Sequence, residues 1–102
     1  MSRPKLRFVH RFGPGVLCEL QVNAEPPAKG EFFHVSIAWT GKPKKKHTPQ
    51  YRQWVLSTTQ HLCDLWDYRI LYGLGLEKNA TEFWQFEPGQ APKLVQKIPF
   101  GL

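Results

Sequence analysis

The sequence predicts an α+β fold in two layers, a curved antiparallel sheet of about five strands packed on one long helix in the order βββαββ. Three observations lead there. Residues 48–72 hold the only sustained helical periodicity; three segments that alternate apolar and polar residues precede it, and two more follow it. The connections among the first three segments are short, which implies an antiparallel meander.

Residues 5–12 alternate cleanly, with Leu6, Phe8, His10 and Phe12 on one face and Lys5, Arg7, Val9 and Arg11 on the other. Gly13-Pro14-Gly15 is a compact turn, and residues 16–23 resume the alternation with Val16, Cys18, Leu20 and Val22 inward. If Phe12 faces Val16, His10 falls opposite Cys18, Phe8 opposite Leu20 and Leu6 opposite Val22, so inward residues meet inward residues. A third strand over 31–40 turns Phe33, Val35, Ile37 and Trp39 to the core, and its long alternation places it near the centre of the sheet. In the helix, Thr48 reads as N-cap, Pro49 as the first helical residue and Gly73 as the left-handed stop after Tyr72. Residues 74–80 read as a connection, 81–87 as a strand with Trp84 and Phe86 inward, and 93–98 as an edge strand ended by Pro99.

With 102 residues, 41% of them hydrophobic, the chain has material for one core, so residues 1–102 are expected to form a single domain. Cys18 and Cys63 form no Cys-x-x-Cys pair, and nothing upstream of them reads as a secretory signal, so a reducing cytoplasm is the expected location. No apolar run approaches the roughly 20 residues that span a bilayer, so no membrane partner is expected. The formal charge of +6 is uneven: residues 1–52 carry ten Lys or Arg against three Glu, and residues 53–102 carry four against five acids. That asymmetry favours an anionic partner for the first half.

The sharpest charged feature is Lys42-Pro43-Lys44-Lys45-Lys46-His47, directly ahead of the helix. Cations oppose the dipole at a helix N-terminus, so helix stability does not account for them, whereas a bound anion would. Lys5, Arg7 and Arg11 form a second basic row on the outward face of the first strand, joined there by Phe32 and His34. Bases could stack and phosphates be held on such a face, although Glu19 lies diagonal to both arginines and can pair with them. In the helical stripe, Arg69 falls among Trp66 and Tyr72, a candidate pocket for a carboxylate or phosphate unless Arg69 pairs with a strand carboxylate such as Glu82. Leu56, Cys63 and Ile70 recur every seven residues along one helix flank, a candidate homodimer surface.

No catalytic or cofactor motif rises above chance, and no metal, cofactor or catalytic set is expected. His10, Cys18, His61 and Cys63 supply at most three ligands, because His61 and Cys63 point to opposite sides of a helix. His10 beside Cys18 would sit in an apolar core, where a thiol resists ionisation. Asp64 and Asp67, near His61 and Tyr68, read as an exposed acidic face. The expected function is therefore a small non-enzymatic binding module that contacts nucleic acid or another polyanion through the Lys-rich loop and the basic strand. The alternative is a homo-oligomeric protein-interaction or small-ligand-binding protein, its homodimer formed through the outward sheet face or the helix flank.

Overall fold

A computed structural model describes residues 4–28, 33, 35–76 and 80–99. Its elements are β1 (Lys5–Gly13), β2 (Val16–Asn23), β3 (Val35–Thr40), a 3-10 turn (Lys45–His47), α1 (Thr48–Trp66), β4 (Ile70–Leu76), β5 (Ala80–Phe86) and β6 (Lys93–Pro99). The fold is α+β, but the order is βββαβββ, and the strands form two antiparallel sheets, β1-β2-β3 and β4-β5-β6, in place of one five-stranded sheet. By its internal packing the chain divides into two compact units, Met1–Trp54 and Val55–Leu102. The charge divides at the same place, since Gln53 and Trp54 add none: the first unit's ten Lys or Arg against three Glu leave +7.

In the first unit the hairpin register is the one the alternation predicts: Leu6 faces Val22, Phe8 faces Leu20 and His10 faces Cys18. The turn differs. Gly13, not Phe12, pairs with Val16, and Phe12 becomes the extra residue of a β-bulge. Pro14 and Gly15 then form a tight turn in which Gly15 takes φ +70°, a conformation easy only for glycine. The central strand is β2, whose Cys18, Leu20 and Val22 are buried, and β3 is an edge strand, which corrects the expected central position. Along β3, Val35, Ile37 and Trp39 are half-buried and Ser36, Ala38 and Thr40 exposed, as the alternation requires.

The helix enters earlier and ends sooner than its periodicity suggests. Thr48 is not an N-cap: its φ of −57° and ψ of −47° are already helical, and the chain turns in at Lys44. There His47 N donates to Lys44 O at 2.9 Å, and Lys44 N donates to His47 Nδ1 at 3.0 Å. At the other end, Tyr68 N donates to Cys63 O and Asp67 N to Asp64 O, the paired bonds of a Schellman stop with Asp67 at φ 51°. Asp67 carries two costs here, a side chain in the left-handed region and a negative charge at the helix C-terminus. Asp67→Gly is therefore expected to raise stability by about 0.5–1 kcal/mol, read as a higher denaturant midpoint.

Beyond that stop, residues 70–76 pair with β5 from Ile70 opposite Phe86 to Leu76 opposite Ala80. The expected helix extension to Tyr72 is thus replaced by a strand, which also takes residues 74–76 of the expected connection, while Ala80 opens β5 and residues 77–79 lie outside the described residues. Its alternation runs inward at Ile70, Leu74 and Leu76, all buried. The buried residues of this unit include Val55, Thr58, Thr59, Leu62 and Cys63 from α1 and Ala80, Glu82 and Phe86 from β5. Leu62 and Trp66, expected against the third strand, belong to this unit. β6 is an edge strand, as expected, and every residue of it is exposed.

Candidate polyanion interface

The Lys-rich loop is held against the tip of the β1–β2 hairpin. Gly41, at φ +80°, passes so close to the turn that a Cβ there would lie 2.0 Å from Gly15 O. His47 is buried, its ring centroid 6.1 Å from that of Phe12 and its Nε2 beside Gly13. Between these two anchors Lys42, Lys44, Lys45 and Lys46 are all exposed, and among the described residues none of them makes an ion pair. The anchoring gives a test by substitution. Gly41→Ala, which needs both a left-handed alanine and a shift of the hairpin backbone, is expected to cost about 2–4 kcal/mol in stability. Gly15→Ala, at φ +70° with open space around its Cβ, meets only the first of those penalties and is expected to cost about 1–2 kcal/mol by thermal or denaturant unfolding.

The basic strand reaches this loop at one end only. Lys5, Arg7 and Arg11 are exposed, but six residues of extended chain separate Lys5 from Arg11, about 20 Å. Arg11 faces Leu17, next to the tip, while Lys5 faces Asn23 at the far end. Arg7 Nε lies 3.9 Å from Glu19 Oε1, the diagonal pair the register predicts, and Gln21 Nε2 also donates to Glu19 Oε2 at 3.0 Å. At 3.9 Å, with Arg7 exposed and Glu19 half-buried, the pair is a weak one. Phe32 and His34, expected to join the basic row, lie outside the described residues.

Beside the loop the fold assembles an aromatic cluster that no single stretch of sequence displays. Phe12, on the inward face of β1 as the alternation predicts, lies 4.6 Å from His10, 5.3 Å from Trp39, 5.9 Å from Trp54 and 6.3 Å from Tyr51 between ring centroids. Trp39 and Tyr51 lie 5.3 Å apart, and His10 stacks on Trp54 at 5.6 Å. Only Phe12 of these five is buried; the others are half-buried. The sequence signal was present in pieces, as inward Phe12 and Trp39 on strands and His47, Tyr51 and Trp54 at helical spacing.

The remaining candidate sites resolve differently. Trp66, Arg69 and Tyr72 do not share a helix face: Trp66 ends α1, Arg69 lies between elements, and Tyr72 is on β4 opposite Trp84. Arg69, with its side chain 71% exposed, binds Glu87 Oε1 at 2.7 Å, so the internal pairing expected with Glu82 is made with Glu87. Glu82 is buried and accepts from Trp84 Nε1 at 3.1 Å. Burial pushes the Tyr72 hydroxyl above its ordinary range. The flank of Leu56, Cys63 and Ile70 does not exist as a surface, because Ile70 is a strand residue and both Cys63 and Ile70 are buried.

His10 and Cys18 are paired across the hairpin, yet their chemistry is occupied. Gln50 Nε2 lies 2.7 Å from His10 Nε2, and since an amide nitrogen can only donate, that ring nitrogen accepts. Cys18 is fully buried, and burial pushes its thiol up to about 11. Cys63 is raised too, by burial first and then by Asp64, Glu87 and Asp67. Neither thiol offers a thiolate near neutral pH. Asp64 is a structural acceptor: Gly89 N donates to its Oδ1 at 2.8 Å and Gln60 Nε2 at 3.0 Å, and those bonds hold its carboxyl below the usual range.

No group of three or more His, Cys, Asp or Glu among the described residues is arranged to hold a metal ion, and no described helix is long and apolar enough to cross a membrane. Compared with protein-family models, curated proteins and solved structures, the chain matches none.

Proposed function

We propose that this chain is a non-enzymatic binding module of the cytoplasm that holds a polyanion, nucleic acid above all, on the Lys42–Lys46 loop and the adjoining basic strand. The observation that carries the reading is the loop itself: four exposed lysines, without ion-pair partners among the described residues, fixed at both ends to the hairpin tip. A loop serving solubility alone needs no such anchoring. Arg11 extends the basic surface from the tip, and Arg7 and Lys5 continue it along β1. The pairing of free, buried Cys18 and Cys63 thiols with this role fits a reducing compartment.

The test is salt dependence. If all seven cations contact phosphates, the logarithm of the association constant should fall against the logarithm of salt with a slope of about −5 to −6, the shallower value for single strands. Absence of any salt-sensitive binding to DNA or RNA at micromolar protein removes the proposal. A second reading, a homo-oligomeric or protein-interaction role, is favoured by exposed apolar side chains. Val9 on the outward face of β1 is 60% exposed and Leu71 on β4 is 64% exposed. Sedimentation that gives the 11.9 kDa monomer at high concentration counts against an obligate oligomer.

A further inference from the structure

We infer that the polyanion is a single-stranded nucleic acid, its bases stacking on Trp39 and Tyr51 while the lysines of the 42–46 loop take its phosphates. This rests on the binding reading above and adds the class of ligand to it. A closed aromatic core would hide its rings; here Phe12 is buried at the centre, and Trp39, Tyr51, Trp54 and His10 around it each keep part of their surface in solvent. Trp39 stands on an edge strand and lies 5.3 Å from Tyr51, the two rings tilted by 42°. The cations are close in the chain on both sides: Lys42 follows Trp39 by three residues, and Tyr51 follows Lys46 by five.

The occupant follows from what the two halves of this surface ask of it. The lysines, on a unit with ten Lys or Arg against three Glu, ask for repeated negative charge. The rings ask for flat faces that can leave their own stack. A duplex has the charge but keeps its bases inside; a sulfated polysaccharide has the charge and no bases. A single strand offers both, and base stacking on aromatic side chains is tolerant of sequence.

The experiment uses the full chain with three probes: fluorescein-labelled oligothymidylate, a blunt DNA duplex of the same length, and heparin. Oligothymidylate is expected to bind more tightly than the duplex and to quench tryptophan fluorescence, while saturating heparin leaves that fluorescence unchanged. Trp39→Leu, which keeps apolar bulk and removes the ring, is expected to weaken oligothymidylate binding about 5- to 100-fold while leaving heparin affinity unchanged. Tyr51→Leu should act the same way and stands in if circular dichroism shows Trp39→Leu unfolded. The quenching comparison on the unaltered chain needs neither variant. Equal affinity for all three probes with no oligothymidylate-specific quenching, or equal losses for oligothymidylate and heparin in a folded variant, overturns the stacking inference and leaves polyanion binding standing. No binding by any probe overturns both.

Discussion

Changing Lys44, Lys45 and Lys46 together to Glu is expected to weaken nucleic-acid binding at least about a hundredfold at low salt and to abolish it at physiological salt. Each lysine that meets a phosphate releases a counterion, so losing three contacts should flatten the salt slope by about 2–3, and the three new carboxylates repel the backbone they face. The fold should tolerate the change. All three side chains are exposed, and the contact that seats the turn belongs to His47, buried against Phe12. Acidic side chains in the first turn also suit the helix dipole better than lysines do. Binding measured by anisotropy and stability measured by denaturant should therefore move independently. A variant that binds as before would place the polyanion elsewhere, and one that unfolds would mean the lysines carry structure.

The largest stability effect is expected from Leu62→Ala. Leu62 lies on α1 with only 1% of its surface exposed, in the unit that also buries Val55, Cys63, Ile70, Leu74 and Phe86. Truncating it removes buried apolar area and leaves a cavity, which costs about 2–5 kcal/mol against a total of roughly 5–15 for a domain of this size. Gln53→Ala, at an exposed position of the same helix, should change stability by no more than about 0.5 kcal/mol. Gln60 does not serve as such a control, although it lies on the polar side of the helical wheel. Its Nε2 donates to Asp64 Oδ1 and to Glu87 O at 2.9 Å, tying the helix to the β5–β6 turn. Equal shifts for Leu62→Ala and Gln53→Ala would contradict the burial described for the helix.

The hairpin was legible because both strands have a period of two and their inward faces match in the observed register, whereas the bulge at its turn leaves that alternation unchanged and so gave no sign of itself. The helix end was not, because residues 70–76 satisfy both periods. Ile70 lies seven residues after Cys63 and so fits a helical flank, and it also opens an alternation through Tyr72, Leu74 and Leu76 that fits a strand. What decides between them is the stop at Asp67, where the sequence offers an aspartate in the left-handed position and holds back its glycine until residue 73. That single misplacement moved Trp66, Arg69 and Tyr72 onto one imagined face and put Ile70 on an imagined flank. It also removed a strand from the count, from which one sheet was inferred in place of two. The lysine loop was legible from charge alone. The aromatic cluster beside it was not, since Phe12, Trp39 and Tyr51 come from three separate elements whose packing no single stretch of sequence displays.

β6 carries a consequence for how this protein behaves in a crowded solution. Leu94, Val95 and Ile98 are exposed on a strand that pairs on one side with β5 and, among the described strands, with nothing on the other. Such a row of unpaired peptide groups beside apolar side chains is a template for fibre growth. The same strand holds Lys93 and Lys97, and it ends on Pro99. Each incoming copy would have to bring its ammonium groups against those already there, and the proline withholds the amide the next hydrogen bond would need. Two charges and one missing hydrogen thus stand against growth along this open edge, and replacing Lys93 and Lys97 with Thr is expected to raise the tendency to form fibres.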